Sequence, residues 1–273
     1  ITTENDVTGT DITASGNISG VTTLTLASVG GTATFAGDVD VTTLTVGNTV
    51  ANVVFSGNGS SVVDAVSFAN DGTLTLGTNG GTQTYNGGLT TTSVGGTVTV
   101  NGTIASSDDT ITFGAITLGN NVTIDTNSTT TNRADITIAA VTGGNNTLTL
   151  TTENDVTGTD ITASGNISGV TTLTLASVGG TATFAGDVDV TTLTVGNTVA
   201  NVVFSGNGSS VVDAVSFAND GTLTLGTNGG TQTYNGGLTT TSVGGTVTVN
   251  GTIASSDDTI TFGAITLGNN VTI

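Results

Sequence analysis

Thr23-Leu24-Thr25-Leu26 and Thr43-Leu44-Thr45-Val46 are alternating tetrads 20 residues apart, and Ala33-Thr34-Phe35 and Val53-Val54-Phe55 stand at the same separation. Alternation sends every second side chain to one face of a strand, so the leucines and phenylalanines turn inward and the threonines outward. A constant interval between like strands suits one winding of a parallel β-solenoid, in which each short strand stacks on its equivalent one coil away. Similar pairs continue along the chain: Val39/Val41, Val66/Phe68, Leu74/Leu76, Val98/Val100, Ile111/Phe113, Ile116/Leu118, Val122/Ile124, Ile136/Ile138 and Leu148/Leu150, with Gln83/Tyr85 in the same phase. Most are followed by corner-forming residues, as in Ala36-Gly37-Asp38, Ser56-Gly57-Asn58-Gly59 and Asn79-Gly80-Gly81. Gly, Asn and Asp supply the backbone angles that tight corners need. Helical spacing is nowhere sustained. The chain reads as all-β.

The order is repeated. Thr2–Ile124 recurs without a change as Thr151–Ile273, an offset of 149 residues, and residues 125–150 complete the unit. This divides the chain into a first β-solenoid unit, 1–149, and an incomplete second unit, 150–273, expected to form one continuous rod. Both ends read as mid-strand, which points to an excerpt from a longer tandem array. Fourteen alternating pairs per unit, at two to three strands per coil, predict roughly five to seven coils. The spacing loosens after Phe55, so later coils must carry longer loops. The competing architecture is a string of immunoglobulin-like β-sandwiches. Those need a core about 10 Å thick, filled with bulky side chains. One unit offers only Phe35, Phe55, Phe68, Tyr85 and Phe113 as aromatics, which favours the thin core of a solenoid.

Composition removes whole classes of function. Among 273 residues there are 42 Gly and no Pro, Cys, Met, Trp or His; Lys and Arg total 1 against 20 Asp and Glu, for a net charge of -19. Without His or Cys there is no thiolate or imidazole chemistry and no usual zinc site. One cation cannot neutralise a phosphate backbone, so nucleic acid is not a partner. No apolar run approaches the ~20 residues of a membrane helix, and no membrane insertion is expected.

Gly81-Thr82-Gln83-Thr84-Tyr85-Asn86-Gly87-Gly88-Leu89, Asp109-Thr110-Ile111-Thr112-Phe113-Gly114 and Gly143-Gly144-Asn145-Asn146-Thr147-Leu148-Thr149-Leu150 resemble the strand repeats of filamentous-haemagglutinin-like exoproteins and of giant bacterial surface proteins. The resemblance is one of compositional style and covers the whole chain. It implies a right-handed β-helix, export to the bacterial cell surface, and a role in adhesion or extracellular structure.

The carboxylates are the only ionisable groups in number. Asp38 and Asp40 lie two apart on an outward face, while Asp71, Asp108 and Asp109 fall in turns. All five are candidate Ca²⁺ ligands, because a hard cation takes such oxygens and would relieve the repulsion of an acidic rod. Neither the calcium-binding nonapeptide pattern nor an EF-hand loop is present, and solvated turn acids are the simpler reading. No two acids are marked as one buried and one ionised, as glycoside hydrolysis requires, so no catalytic residue and no cofactor beyond Ca²⁺ is expected. Thr-x-Thr pairs such as Thr23/Thr25, Thr43/Thr45, Thr73/Thr75, Thr97/Thr99 and Thr110/Thr112 occur at unequal intervals, which argues against one flat threonine array. Asn17, Asn58, Asn101, Asn121 and Asn127 each begin an Asn-x-Ser/Thr triplet; turn residues and stacked asparagine ladders are the simpler roles. Gln83 in an inward phase calls for a hydrogen-bonded ladder or a corner. Arg133, the lone cation, is expected to pair with Asp135 or another carboxylate.

These features together predict a structural repeat segment of a giant extracellular protein that forms a filament, sheath or surface layer by self-association, end to end or laterally. An adhesin that binds a glycan or a cell-surface partner through solenoid loops is the first alternative. A polysaccharide-active enzyme is the second.

Overall fold

The computed structural model describes residues 1–3, 9–107, 109–126, 133–153 and 157–273. It divides into two compact units, Ile1–Asn132 and Arg133–Ile273. Among the described residues there is no helix, and the strands pair in parallel. The protein is a parallel β-solenoid, and the sandwich alternative, which needs antiparallel sheets, does not form.

In the first unit the strands are β1 (Ile12–Ala14), β2 (Ile18–Phe35), β3 (Val39–Phe55), β4 (Ser61–Val62), β5 (Val66–Ser67), β6 (Leu74–Leu76), β7 (Thr82–Tyr85), β8 (Leu89–Thr90), β9 (Val98–Ala105) and β10 (Ile111–Asp125). They form three ladders, and each coil contributes one rung to each. The first ladder stacks Ala14, Phe35, Phe55, Leu76, Val100 and Leu118 in turn, which makes six rungs. The second runs through Val21, Val41, Val62 and Tyr85, and its neighbouring column carries Gln83, Ile104 and Ile124. The third stacks Leu26, Val46 and Phe68, and then Val66, Leu89 and Ile111. Six coils and three strands per coil fall inside the ranges drawn from the alternating pairs.

Long strands such as β2 and β3 are short rungs joined by corners. Their pairing slips at Ile18/Val21, Leu26/Ser28 and Val29/Thr32, where one coil holds a residue more than the next. Such bulges bend the strand without ending it. Coil length therefore varies: Leu24 pairs with Leu44, Leu74 with Val98, and Val98 with Ile116. One corner depends on a glycine. Gly77 has φ +79°, and a Cβ there would collide with the carbonyl oxygen of Asn101 on the next coil.

The core is a thin column of inward side chains. Leu26, Val29, Ala33, Val50, Val53, Phe68, Leu74, Leu76, Val100 and Ile104 have no exposed surface. Each buried Val, Leu or Phe contributes about 1.5–3 kcal/mol. Aromatics from all three ladders meet inside it. Phe35 stacks on Phe55 with centroids 4.8 Å apart, Phe55 tilts against Phe68 at 6.0 Å, and Phe68 meets Tyr85 edge-on at 6.2 Å.

The second unit repeats these registers and adds a coil ahead of them. β11 (Ile136–Thr142) and β12 (Thr147–Thr151) lie on β13 (Ile161–Ala163) and β14 (Ile167–Phe184). Ile136 pairs with Ile161, Val141 with Ile167 and Leu148 with Leu173, so the segment that joins the two sequence copies supplies one rung to each ladder. Its corner, Gly143-Gly144-Asn145-Asn146, has φ +58° at Gly144 and +66° at Asn145. Asn tolerates the left-handed region better than other side chains that carry a Cβ. This packing explains why the compact unit begins at Arg133 whereas the sequence unit begins at 150: residues 133–149 fold onto the copy that follows them.

Candidate functional site

Corners of a solenoid leave backbone N–H groups without a rung to meet, and here acidic and amide side chains meet them. The N–H of Thr32 donates to Asp11 Oδ1 at 2.8 Å, that of Gly59 to Asp38 Oδ1 at 2.7 Å, and that of Ser61 to Asp40 Oδ1 at 3.1 Å. Asn52 Oδ1 accepts both the N–H and the Oγ1 of Thr73, each at 2.9 Å. All four pairs are separated by 21 residues, one coil. Asp38 also receives support from behind, since its own N–H donates to Asn17 Oδ1 at 3.0 Å. The second copy repeats the pattern at Asp160, Asp187, Asp189 and Asn201. A carboxylate that accepts a backbone N–H makes a charge-assisted bond, stronger than a neutral one.

The five candidate Ca²⁺ ligands are thereby placed. Asp38 and Asp40 each commit one oxygen to the next coil. Asp71 and Asp109 sit exposed in turns, and Asp108 lies outside the described residues. Among the described residues no three acidic side chains converge on a common point that would hold a metal ion. Arg133 pairs with Asp135 at 3.4 Å and with Asp160 at 3.1 Å. Asp135 in turn accepts the N–H of Asp160 at 2.8 Å, so the ion pair reinforces the bond between coils.

Two asparagines of the Asn-x-Ser/Thr triplets, Asn17 and Asn101, also work between coils. Asn101 is buried, and Asn120 Nδ2 donates to its Oδ1 at 2.9 Å, a two-rung asparagine ladder. Asn127 lies outside the described residues. The threonines divide in two. Thr23 and Thr25 lie beside Thr43 and Thr45 for two coils, and in the second unit Thr147/Thr149, Thr172/Thr174 and Thr192/Thr194 stack for three, while a separate column one residue wide runs Thr13, Thr34, Val54, Thr75, Thr99 and Thr117. Unequal intervals in sequence thus do not keep threonines out of one column, but Val54 interrupts it, and among the described residues the Thr-x-Thr stack led by Thr147 and Thr149 is two residues wide and three coils tall.

A concave feature recurs in both copies. Thr22, Asp40, Thr42, Ser61 and Val63 line a groove of about 490 Å³ in the first. Thr171, Asp189, Thr191, Ser210 and Val212 line its counterpart of about 260 Å³ in the second, where Asn145 of the added coil also borders it. Val63 and Val212 are 53% and 52% exposed, so this apolar exposure belongs to the repeat itself. The groove offers one carboxylate, hydroxyls and an aliphatic patch. In the second copy burial, with repulsion from Asp187, raises the Asp189 carboxyl above its usual range, although the N–H bond from Ser210 opposes the rise. No family model, curated protein or solved structure matches the chain. The fold and these side chains are therefore the whole basis for a functional reading.

Inside the core one polar site stands out. Gln83, with no exposed surface, donates from Nε2 to the carbonyls of Phe55 at 2.9 Å and Gly57 at 3.2 Å. The Tyr85 hydroxyl donates to Gln83 Oε1 at 3.1 Å. Burial pushes the Tyr85 phenol well above its ordinary range. Gln232 and Tyr234 repeat the arrangement.

Proposed function

We propose that this chain is a segment of a secreted or bacterial cell-surface fibrous protein whose β-solenoid repeats build a filament, sheath or surface layer. The observation that supports this reading best is the coil made by residues 136–150. The segment between the sequence copies contributes a rung to all three ladders of the second copy, as a strand-for-strand continuation would and a flexible linker would not. In this reading the work is mechanical. Ladder hydrogen bonds run along the axis, carboxylate bonds staple the corners, and the main partner is another copy of the same repeat. No catalytic step is assigned to it.

Electron microscopy and fibre diffraction of the purified protein test the proposal. Rods of uniform width with an axial spacing near ~4.8 Å are expected. Beads at the period of the repeat would overturn it. The adhesin reading has one observation in its favour, the groove that recurs with the same lining and the same exposed valine. Retention on an immobilised glycan that is lost when Asp40 and Asp189 are both changed to Ala would favour adhesion over a purely structural role.

A further inference from the structure

Each copy contains four Asn-Gly pairs: Asn58-Gly59, Asn79-Gly80, Asn86-Gly87 and Asn101-Gly102, repeated as Asn207-Gly208, Asn228-Gly229, Asn235-Gly236 and Asn250-Gly251. Asn-Gly is the dipeptide in which an asparagine is most easily lost to its own backbone. The glycine nitrogen, relieved of its proton by base, attacks the asparagine Cγ, and a C–N bond forms. The Cγ–Nδ2 bond breaks and ammonia leaves, which closes a succinimide ring. Water then opens the ring at either carbonyl to give aspartate or isoaspartate. The reaction needs a glycine N–H that is free, an asparagine side chain that can rotate, and room for the peptide plane to turn.

The fold withholds these conditions from three pairs of the four. Gly59 N–H is held by Asp38 Oδ1 at 2.7 Å, and Gly208 N–H by Asp187 Oδ1 at 2.7 Å. Asn86 Nδ2 is tied to Ser61 Oγ and to the Val62 carbonyl at 3.2 and 3.1 Å, and Gly87 is packed against the backbone of Ala65. Asn101 is 8% exposed, donates to the Leu76 carbonyl and accepts from Asn120. The fourth pair is different. Asn79 and Gly80 are both exposed at the corner between β6 and β7, and so are Asn228 and Gly229. Among the described residues neither asparagine side chain nor either glycine N–H has a hydrogen-bond partner, and a Cβ on Gly80 or Gly229 would meet nothing within 4 Å. The corner is closed only by the Gly81 N–H to the Thr78 carbonyl at 3.1 Å, and the Thr82 N–H bond to Asn58 O restarts the ladder beyond it.

We infer that Asn79 and Asn228 are the sites of spontaneous succinimide formation in the folded protein, a modification written once into every repeat. Each event converts a neutral amide into a carboxylate and so makes the acidic surface one charge more negative per repeat. Where the product is isoaspartate, an extra methylene enters the main chain at the exposed tip of the corner, Asn79-Gly80, while Thr78 and Gly81 on its flanks keep their packing against Gly102 and Asn58 of the neighbouring coils, so the ladders on either side persist. A long-lived extracellular rod would thus accumulate charge at regular intervals without losing its fold.

Peptide mapping by mass spectrometry after incubation in mildly alkaline buffer tests this on the intact chain. The two copies give identical peptides, so Asn79 and Asn228 are read together. In the folded protein their conversion is expected to exceed that of the other Asn-Gly pairs by roughly tenfold or more, because the protected pairs must first open locally. In denaturant all the pairs are expected to react at similar rates, which shows that the fold and not the dipeptide sets the difference. Folded-state conversion of Asn58, Asn86 or Asn101 as fast as that of Asn79 would overturn the inference, as would a folded Asn79 no faster than they are. In the double variant Asp38→Ala and Asp187→Ala, Gly59 and Gly208 lose their acceptor, and Asn58 conversion is expected to rise while Asn86 and Asn101 stay slow. If Asn86 and Asn101 accelerate too, the variant has unfolded and the wild-type comparison alone decides.

Discussion

Replacing Gln83 by methionine removes an amide from the core while keeping the length and bulk of the side chain. The Phe55 carbonyl loses one donor but keeps the N–H of Gly77 at 2.9 Å. The Gly57 carbonyl loses its 3.2 Å bond and the buried Tyr85 hydroxyl loses its acceptor at 3.1 Å. Each buried polar group left without a partner costs about 1–3 kcal/mol, so two such groups place the loss at roughly 2–6 kcal/mol. Tyr85→Phe alone orphans only Gln83 Oε1 and falls at the lower end, about 1–2 kcal/mol. The double variant removes both members of the Tyr–Gln bond and is expected to cost less than the sum of the singles by about 1 kcal/mol or more. Equilibrium unfolding in guanidinium, followed by circular dichroism and by tyrosine emission, measures all three. The chain has only two tyrosines and no tryptophan, so in the Tyr85→Phe variants emission reports on Tyr234 alone. A Gln83→Met protein as stable as the parent would refute the reasoning, since the amide would then be a passenger in the core. Strict additivity in the cycle would refute the coupling.

Three further outcomes follow from the same contacts. Phe55→Ala removes the middle ring of the Phe35–Phe55–Phe68 cluster and is expected to cost about 3–5 kcal/mol in the same unfolding assay. Tyr85 and Tyr234 have folded pKa values raised by burial, so the stability tied to them is intact below the ordinary phenol pKa and is lost as pH rises above it. The expected slope is about 1.4 kcal/mol per pH unit for each tyrosine, and phenolate absorbance should appear together with loss of the β signal. Asp189 also has a raised folded pKa, which for a carboxyl means that ionisation opposes folding. Asp189→Asn keeps an acceptor for the Ser210 N–H and is expected to raise the melting temperature at neutral pH, with the gain fading as pH falls through the carboxylate range.

The strands were legible because alternation needs only two residue classes and the core is one side chain thick. Leu24, Phe35, Leu44 and Phe55 lie on their predicted faces and stack at their predicted interval. What the spacing could not reveal is how a coil absorbs extra residues. From Leu74 to Val98 the chain takes 24 residues and from Val98 to Ile116 only 18, and the corners take up the difference while the rungs stay aligned. The same slippage brings threonines from uneven intervals into one column. The carboxylates carry a role that alternation does not show: Asp38 and Asp40 each reach along the axis to a backbone N–H. A signal for this exists in the sequence: Asp11/Thr32, Asp38/Gly59, Asp40/Ser61 and Asn52/Thr73 all lie 21 residues apart. A short acceptor one coil before a corner N–H is a pattern as readable as alternation once the coil length is known. Gln83 was legible as an anomaly but not as a network, because its partners Phe55 and Gly57 are a full coil away.

Two copies of one sequence in different surroundings isolate what a neighbouring coil contributes. Val21 is 46% exposed, whereas its equivalent Val170, covered by the coil of residues 136–150, is 2% exposed. Ile161 and Ile167 have no exposed surface, while their counterparts Ile12 and Ile18 are only half-buried. Three aliphatic side chains that each recover part of a full burial worth about 1.5–3 kcal/mol bring the coil interface to a few kcal/mol from these contacts alone. Ladder and side-chain hydrogen bonds add to it. An interface term of that size, set against coils that cannot bury their own edges, makes folding propagate from coil to coil. The consequence is a direct test of the joining segment. Changing Ile136, Val141 and Leu148 to Ser should lower the stability of the second copy as it exposes the Val170 face, although none of these residues belongs to the sequence shared by the two copies. If hydrogen exchange at Leu173 and Ile161 stayed as slow as in the parent, the segment would be a tether, and the mechanical reading would lose the contact on which it stands.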